Sequence, residues 1–563
     1  MNRGEEKQCG VMVKREGIRK AIQLVMDKEE GKEKKKRAKE LGEMANKALE
    51  GGESSYRNIN ILFAMASESQ PCQPHFVLIP LMAQGHLLPA VDIAKLLAQR
   101  NVIVTIVTTP LNAARFSNII NRSIHAGLLI NVIQIKFPAT QVGLPDGCES
   151  ADAVPSLDLF KNFFTAISML HEPVEKLFQE LKPSPSCIIS DRNIAWTADI
   201  SSKFQIPRIL FDGTNCFSLL CLHNLYKSKI HETASESESL VIPGLSDQFE
   251  FRRSQLPGLF NPGSNRDLNK LREEIKAAEA GAYGIIVNSF EELETEFLKG
   301  YRSATGRKVW CVGPVSLCNK ENLDMAQRGN SKSSTDVNQY LKWLNSWPPN
   351  SVIYACLGSL SNLRPPQLIE LGLGLEATTR PFIWVIRGMS AEMAKWLEED
   401  RFEDRVKSRG LLIRGWAPQV LILSHPSIGA FLTHCGWNST LEGICAGVPM
   451  ITWPLFAEQF FNEKLVVQVL KIGVPVGAEV VVHFGEEEKF GVQVKEEKIK
   501  EAVEKVMNED KKEPRRNEAR KLAEMAKKAV EEGGSSYNNI TLLIEDIIQQ
   551  QLSKREKVTM LET

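Results

Sequence analysis

Short apolar runs alternate with stretches of helical periodicity along the chain from Phe76 onward. A first series contains HFVLIP, VIVTIVTT, CIISD, IPRILF and GIIVNSF, and the amphipathic stretch LLPAVDIAKLLAQR follows its first member. A second series contains SVIYACLGSL, PFIWVIRG, GLLIRGWA, IGAFLTHCG and PMITWPL. This alternation predicts parallel strands covered by helices. We therefore expect an α/β protein with two facing doubly wound, Rossmann-like domains, whose ligands bind in the cleft at the carboxyl ends of the strands.

The same pattern suggests where the domains begin and end. Residues 65–312 form the first predicted domain. Residues 337–552 form the second, together with amphipathic helices that return to the first. The segment 313–336 is polar and poor in periodicity, so we interpret it as an interdomain linker. Residues 553–563 form a polar tail.

The two ends of the chain resemble each other. GVMVKREGIRKAIQLVMDKEE, which begins at Gly10, aligns without a gap with GVQVKEEKIKEAVEKVMNEDK, which begins at Gly491. Both copies repeat apolar residues at spacings of three and four, as amphipathic helices do. Met65 then opens MASESQPCQPHFVLIP, a polar leader followed by a strand-like run. We interpret residues 1–64 as the non-catalytic tail of a related protein fused upstream. The alternative is a functional lid or dimerisation arm.

Composition restricts the class of partner. Lys and Arg together number 69, as do Asp and Glu, and this zero formal charge argues against a nucleic-acid partner. The 11 cysteines include no CxxC pair, which favours reduced thiols over disulfides or zinc. The first residues are charged, and no apolar run reaches the roughly 20 residues of a membrane span. We expect a cytoplasmic monomer without a membrane span.

The segment Trp416–Gln459, WAPQVLILSHPSIGAFLTHCGWNSTLEGICAGVPMITWPLFAEQ, combines an aromatic ring, a strand-to-helix turn and two carboxylates. The free amides at the start of the helix-like STLEGICAG suit a diphosphate. His434, Asn438 and Ser439 would add polar side chains there. The structural alternative for the Ser-x-x-Glu pattern that begins at Ser439 is a capping box.

Three residues at the ends of this segment each have two interpretations. Trp416 follows a strand-like run, and it is either a stacking platform for a base or a core residue. Glu458 and Gln459 follow the apolar PMITWPLF, where a strand end would present them to the cleft. Their alternative is an ordinary surface pair.

The segment resembles the plant secondary product glycosyltransferase box, the signature of plant UDP-dependent glycosyltransferases of glycosyltransferase family 1. The resemblance covers residues 65–552 and implies a GT-B fold, a UDP-sugar donor and a small-molecule acceptor. In the family, Trp at position 437 and Gln at position 459 go with glucose donors, so UDP-glucose is expected. The resemblance assigns the donor contacts as follows: Ser359 near the phosphates; Trp416 on uracil; Ala417 and Gln419 on uridine; His434, Gly436, Trp437, Asn438 and Ser439 at the diphosphate; Glu442 on the ribose hydroxyls; Glu458 and Gln459 on the sugar hydroxyls.

His86 lies in LMAQGHLLPAVDIAKLL, between a predicted strand and a predicted helix. A helix N-terminus disfavours imidazolium, so we expect a neutral His86 that can act as a base. Asp191 ends the strand-like CIISD. The structural alternatives are a surface histidine and a helix-capping aspartate. In the family that the chain resembles, these positions hold the catalytic histidine and the aspartate that orients it.

The sequence DRNIAWT departs from the family pattern at Arg192 and Ala195. The family commonly has an apolar residue directly after the aspartate and a proline before the tryptophan. We expect the cation of Arg192 to compete with His86 for Asp191. This would change the acceptor pocket and the rate without removing the pair.

The expected chemistry needs no metal. The chain contains no Asp-x-Asp, the motif that commonly holds a metal on the diphosphate in the other glycosyltransferase architecture. We expect helix amides and His434 to take its place, with the UDP-sugar as co-substrate and no further cofactor. The expected reaction is a single in-line displacement by an acceptor hydroxyl, which inverts the anomeric carbon and gives a β-glucoside.

The acceptor is less well specified. IPRILFDGTNCFSLLCLHN, GLPDGCES and CVGPVSLCNKE resemble the subgroup that acts on triterpenoids, steroids, flavonoids and hormones. A small lipophilic acceptor with a hydroxyl is therefore expected. Cys216, Phe217, Leu220 and Leu222 either line its pocket or belong to the core.

Two other functions compete with a UDP-dependent hexosyltransferase. A non-catalytic UDP-sugar-binding regulatory protein would bind UDP without turnover. An NAD-dependent oxidoreductase would share the α/β pattern, but it would carry GxGxxG after the first strand, where AQGHLLP stands instead.

Expression of the chain from Met65 tests the interpretation of the N-terminal repeat. We expect the shortened protein to keep the solubility and UDP-sugar-dependent activity of the full chain, because every candidate site residue follows Met65. Activity assays and light scattering on both forms, purified in parallel, measure this. Loss of activity or solubility would instead favour the lid or arm.

Overall fold

The computed structural model describes residues 73–563 with gaps at 236–237, 246–247, 259, 261–268, 330–336, 359, 361–362, 483–489 and 563. Two predictions fall outside these residues, namely those for segment 1–64 and for Ser359. The described residues belong to one unit, Gln73–Thr563, which contains two large sheets.

The strands are short, and most of them coincide with the apolar runs of the sequence. They are β1 His75–Ile79, β2 Ile103–Thr108, β3 Ile130–Gln134, β4 Cys187–Asp191, β5 Arg208–Asp212, β6 Ser239–Val241, β7 Glu250–Arg252, β8 Gly284–Val287, β9 Lys308–Cys311, β10 Val352–Cys356, β11 Phe382–Ile386, β12 Gly410–Arg414, β13 Ile428–Thr433, β14 Met450–Thr452 and β15 Gly473–Pro475.

Helices connect most of these strands, and no described helix is both long and apolar enough to cross a membrane. The α-helices are α1 Gln84–Ala98, α2 Pro110–Ala114, α3 Ser117–His125, α4 Phe160–Met169, α5 His171–Glu180, α6 Thr197–Phe204, α7 Cys216–Ser228, α8 Asn269–Ala280, α9 Thr295–Thr305, α10 Asn322–Gln327, α11 Val337–Leu344, α12 Pro365–Ala377, α13 Ala391–Glu399, α14 Phe402–Val406, α15 Gln419–Leu423, α16 Trp437–Ala446, α17 Gln459–Lys464, α18 Glu496–Met507, α19 Glu509–Val530 and α20 Ser535–Glu562.

Both large sheets are parallel and doubly wound. Seven strands form the first in the order β3-β2-β1-β4-β5-β8-β9, and six form the second in the order β12-β11-β10-β13-β14-β15. The strand order reverses between β1 and β4 in the first sheet, and between β10 and β13 in the second. Sheets of this type bind ligands at the carboxyl ends of the strands beside such switch points. The predicted fold class of two doubly wound domains is confirmed.

The central strands are mainly apolar because helices cover both faces of each sheet. Every residue of β1, β4, β10 and β11 is buried. A parallel sheet of this kind favours continuous runs such as FIWVI in β11 over alternation of polar and apolar residues. A strand that is buried on both faces needs a continuous apolar run, so these runs in the sequence already indicated buried strands.

One hydrophobic cluster extends across both domains. It includes Phe217 and Phe251 of the first domain and Trp437 and Phe461 of the second, all of them buried. The rings of Phe251 and Phe461 meet edge to face with centroids 5.0 Å apart, an arrangement that aromatic quadrupoles favour. Apolar burial therefore stabilises the contact between the two domains.

The segment between the two sheets contains regular structure. A 3₁₀ turn covers Val315–Cys318, and α10 follows at Asn322–Gln327. Val315 is fully buried and packs into the core of the first domain. This part of the predicted linker is therefore packed against the first domain.

The C-terminal helices cross from the second domain to the first. α18 packs on α12, where a Cβ added to Gly374 would lie only 2.8 Å from Cβ of Ile499. α19 packs on α16. α20 places Ile540 and Leu543 in the core of the first domain. The apolar faces of these amphipathic helices therefore pack against both domains.

Replacement of Ile499 by Ala tests the packing of α18 on α12. Ile499 is fully buried, so its truncation should lower the free energy of unfolding by about 2–5 kcal/mol, through lost burial and a residual cavity. Urea denaturation measures the change. Lys500→Ala, at the exposed neighbouring position, should stay within about 0.5 kcal/mol of the unaltered chain. Similar losses for both variants would contradict this packing.

Candidate active site

His86 and Asp191 meet at the switch point of the first sheet. His86 lies in the first turn of α1, which follows β1, and Asp191 is the last residue of β4. Nδ1 of His86 donates a hydrogen bond to Oδ2 of Asp191 at 2.6 Å. The Asp191 side chain is fully buried, whereas the His86 side chain is 32% exposed. The aspartate therefore holds one ring nitrogen, and Nε2 remains for a substrate.

The charges around His86 raise its pKa to about 9. Burial lowers this pKa, but the carboxylates of Asp191, Asp212 and Glu458 outweigh burial, with Asp191 contributing most. The expectation of a neutral His86 is wrong, because the nearby carboxylates favour the charged imidazolium. The neutral, basic form of His86 is thus favoured at alkaline pH.

Arg192 does not compete for Asp191. Its Nη1 donates to Oδ2 of Asp212 at 2.9 Å, and its Nε donates to Glu279. Burial lowers the pKa of Arg192, but these two carboxylates raise it overall, so the guanidinium stays charged. The expected competition with His86 is wrong because Arg192 has its own acidic partners.

The donor-side helix α16 begins at Trp437, directly after β13. Its N-cap residue is Gly436, and no side chain caps it. Ser439 therefore lies inside the first turn, so the alternative of a capping box with Glu442 is wrong. The first backbone N–H groups of a helix have no partner within the helix, and this end suits an anion.

His434 is a neutral polar group beside this helix end. Burial, followed by the charge of Arg387, lowers the pKa of His434 to about 4. Its Nδ1 is buried and has no hydrogen-bond partner among the described residues. The ring lies against Gly358 and Gly436, where an added Cβ at either position would approach Nε2 to 2.4 Å. Close approach of the backbone to this ring therefore requires glycine at both positions.

Trp437 and Asn438 tie the donor helix to the first domain. The Trp437 indole is buried, and its Nε1 donates to the Asn288 carbonyl at 2.7 Å. This bond occupies the indole N–H, so the predicted contact of Trp437 with the diphosphate falls to its backbone N–H at the helix start. Nδ2 of Asn438 donates to the Gly85 carbonyl at 2.6 Å, directly before His86.

Trp416 is half-buried and contacts a cation that was not predicted. The guanidinium of Arg387 lies 4.6 Å from the centroid of the Trp416 ring, within the range of a cation–π interaction. Arg387 directly follows β11, so its place at the carboxyl edge of the second sheet was a signal in the sequence. Ala417, next to Trp416, is buried.

The side chains of Gln419, Ser439 and Glu442 form one hydrogen-bonded group. Nε2 of Gln419 donates to Oγ of Ser439 at 3.0 Å and to Oε2 of Glu442 at 2.7 Å. Nη1 of Arg328 donates to Oε1 of Glu442. Arg328 was missed because it lies in the segment interpreted as a linker, where no motif marks it.

Glu458 and Gln459 lie at the start of α17. Burial, and next the charge of Asp212, raise the pKa of Glu458, whose Oε1 accepts from Nδ2 of Asn462 at 3.3 Å. Gln459 is buried, and its Oε1 accepts from the backbone N–H groups of Leu455 at 2.8 Å and Phe456 at 3.0 Å. The alternative of an ordinary surface pair is therefore wrong for Gln459.

The candidate acceptor-pocket residues belong mainly to the core. Cys216 and Phe217 are fully buried, and Leu220 is buried in the same cluster, against which Leu222 packs. Between the two interpretations left open by the sequence, the structure favours the core.

A cavity of about 100 Å³ joins residues of both domains. The first domain and the segment between the sheets contribute Gln84, Gly85, Leu88, Met325 and Arg328, and the second domain contributes Cys356, Gly358, Val385, Arg387, Trp416, Ala417, Gln419, Val420, Asn438, Ser439 and Glu442. Half of the twelve predicted donor residues thus share one cavity, namely Trp416, Ala417, Gln419, Asn438, Ser439 and Glu442. His86 directly follows Gly85, another of its lining residues.

Comparison with known proteins identifies the class. The family model described as UDP-glucoronosyl and UDP-glucosyl transferase matches residues 321–525, and the glycosyltransferase N-terminal domain model matches residues 75–317. UDP-glycosyltransferase 73C6 of Arabidopsis thaliana is 52% identical over 86% of this chain and 99% of its own length. UDP-glycosyltransferase 73C11 of Barbarea vulgaris is 53% identical over 84% and 96%, respectively.

Solved structures agree with this result. UGT73P12 of Glycyrrhiza uralensis, complexed with glycyrrhetinic acid 3-O-monoglucuronide, is 38% identical with a TM-score of 0.81, over 87% of this chain and 99% of that one. UGT71G1 of Medicago truncatula, complexed with UDP-glucose, is 26% identical with a TM-score of 0.68, over 84% and 98%. The chain belongs to the UDP-glycosyltransferase family. It is a UDP-dependent hexosyltransferase of GT-B fold, as the resemblance implied.

The raised pKa of His86 makes a prediction for the pH dependence of the reaction. A general base must be neutral, so kcat/KM should rise with pH and level off above about 9. Asp191→Asn removes the strongest raising charge, so the inflection should move to lower pH. The plateau should also fall, by about 10²- to 10⁴-fold, because the ring loses its orienting partner. Initial rates across pH measure both effects.

Asp546→Asn is the matched control for this experiment. Asp546 is also a paired carboxylate, bound to Nζ of Lys308 at 2.7 Å, and its loss should leave the inflection near pH 9. If Asp191→Asn kept that inflection, a group other than His86 would control the rate.

Proposed function

We propose that the chain transfers glucose from UDP-glucose to a hydroxyl of a small lipophilic acceptor and inverts the anomeric carbon to give a β-glucoside. The observation that carries this proposal is the position of the His86–Asp191 pair next to the donor helix. Asn438, in the first turn of that helix, bonds to the carbonyl of the residue before His86. One hydrogen bond therefore joins the helix start, which is the proposed anion site, to the residue before the proposed base.

In the proposed reaction, Nε2 of His86 takes the proton of the acceptor hydroxyl. The acceptor oxygen then forms a bond to the anomeric carbon as the bond from that carbon to the diphosphate oxygen breaks. Asp191 stabilises the imidazolium that forms. The free amides at the start of α16 and the neutral ring of His434 stabilise the negative charge that develops on the UDP leaving group. A single displacement at carbon inverts its configuration.

The proposed donor contacts follow the family resemblance. Trp416 stacks on the uracil, and Glu442 accepts from the ribose hydroxyls. We assign Glu458 to the sugar hydroxyls, and its contribution to the raised pKa of His86 supports a position near the reacting centre. Glucose is the proposed sugar because Gln459 and Trp437 match the family residues that go with glucose donors. UGT71G1, a structural relative, was solved with UDP-glucose.

The acceptor class, the cellular setting and the independence from metals are parts of the same proposal. We expect a triterpenoid, steroid, flavonoid or hormone hydroxyl of plant secondary metabolism, since the named relatives are plant enzymes. We further expect a cytoplasmic monomer that needs no metal, because the helix amides and His434 supply the stabilisation of the diphosphate.

An acceptor screen by mass spectrometry, with UDP-glucose, UDP-galactose, UDP-xylose and UDP-glucuronic acid, tests the proposal. We expect glucosides as the main products. The coupling of the anomeric proton, measured by NMR on the purified product, identifies the β configuration. His86→Ala should lower transfer by at least about 100-fold while UDP binding, measured by calorimetry, changes less than about twofold. His125→Ala, at an exposed histidine of α3, is the matched control and should change neither.

Two results would contradict the proposal. Transfer of another sugar in preference to glucose would overturn the donor assignment. Equal loss of transfer and UDP binding in His86→Ala would show that His86 supports folding or the donor site and is not the base.

A further inference from the structure

A series of alternating charges runs along the seam between the two domains. Nε of Arg122, in α3, donates to Oδ1 of Asp324 at 2.9 Å, and Nζ of Lys95, in α1, donates to Oδ2 of Asp324 at 3.1 Å. Lys95 also donates to Oδ1 of Asn319 at 2.8 Å, and Nδ2 of Asn319 donates to Oδ1 of Asp92 at 2.8 Å. Asp92 is thereby fixed on α1, the helix whose first turn carries the proposed base.

Arg328 joins this series to the donor domain. Its Nε donates to Oδ2 of Asp92 at 2.9 Å, and its Nη1 donates to Oε1 of Glu442. All three side chains are buried. Burial lowers the pKa of Arg328, but the two carboxylates raise it overall, so the guanidinium stays charged. One cation therefore links a carboxylate of the first domain to a carboxylate of the second.

Arg328 and Gln419 together set the orientation of the Glu442 carboxylate. Arg328 occupies Oε1, and Nε2 of Gln419 occupies Oε2 at 2.7 Å. An ionised carboxylate has about four lone-pair sites, so each oxygen keeps a site for a further donor. Glu442 and Trp416 line the same cavity. The carboxylate is thus held beside Trp416, the proposed stacking platform for uracil, and its oxygens can still accept further hydrogen bonds.

The residue after Arg328 contacts that platform directly. Gly329 has φ of +90°, and a Cβ added there would lie 2.5 Å from Cζ2 of Trp416. Two consecutive residues of the segment between the sheets therefore contact the aromatic ring and the carboxylate. Met325 and Arg328 of this segment also line the cavity that Trp416 and Glu442 share.

We propose that Arg328 is a positioning residue for recognition of the donor ribose. It holds the Glu442 carboxylate so that both ribose hydroxyls can donate to it. This rests on the proposed function, which assigns Glu442 to the ribose. Arg328 acts through Glu442 and has no part in the displacement itself. Because it also binds Asp92 of α1, recognition of the ribose depends on the contact between the two domains.

Calorimetric binding of UDP and of 2′,3′-dideoxy-UDP to the full chain tests this role. The unaltered chain should prefer UDP by about 10- to 100-fold, as expected for hydrogen bonds to a charged acceptor. Arg328→Met should reduce this preference to less than about threefold, because the carboxylate loses the partner that orients it. Damage to the fold alone would weaken both ligands alike and leave their ratio unchanged.

Arg122→Met is the matched control. It removes a cation from the outer end of the same series, at Asp324, and should leave the preference for UDP at its original value. If circular dichroism shows that Arg328→Met does not fold, Arg328→Lys replaces it. A lysine keeps the charge but lacks the planar, fixed fork of the guanidinium that orients the carboxylate, so the preference should fall at least about threefold.

The outcomes separate this proposal from the one on which it rests. A preference that survives in a folded Arg328 variant overturns the role of Arg328 alone. Loss of the preference in Arg122→Met to the same extent also overturns it, since the effect would then belong to the whole series. Absence of any preference in the unaltered chain overturns the ribose role of Glu442, and the positioning role falls with it. The acceptor screen is independent of all three results.

Discussion

The contact between the donor helix and the first domain sets the geometry of the whole site. The indole N–H of Trp437 donates to the Asn288 carbonyl within a largely apolar cluster, where an unpaired N–H would cost about 1–3 kcal/mol. The next residue, Asn438, bonds to the Gly85 carbonyl. Since Gly85 precedes the proposed base and the helix start is the proposed anion site, one helical turn fixes the two relative to each other. Loss of this contact would leave the proposed base and the proposed anion site without a fixed relative position.

Paired charges control the electrostatics of the site. Asp191 is bound by His86, and Asp212 is bound by Arg192, so the cation that departs from the family pattern serves a different carboxylate from the one that orients the ring. Although they are paired, Asp191 and Asp212, together with Glu458, still raise the pKa of His86. A base of this kind accepts a proton readily once it is neutral, and its activity consequently depends on pH. Arg328 has an equivalent role between Asp92 and Glu442 at the seam of the domains.

Much of the fold was predictable from local pattern, whereas details of the helix ends were not. The apolar runs predicted most strands of both sheets because residues buried on both faces have little choice but to be apolar. The strand ends predicted Asp191, and the same argument would have found Arg387. By contrast, Ser439 and Glu442 fit a capping box equally well, and only the start of α16 at Trp437 decided against it. A sequence pattern gives spacing, but the first residue of a helix depends on its packing.

By itself, the sequence determined the α/β class and the family, and it predicted the residues of the two halves of the proposed site. These follow from periodicity and from a long motif whose residues act locally. Only the tertiary structure decided which groups face one another. The pKa of His86, the partners of Arg192, the burial of Trp437 and the link from Arg328 to Glu442 all depend on side chains far apart in the chain. Coulomb interactions and burial act through space, so no local pattern contains them.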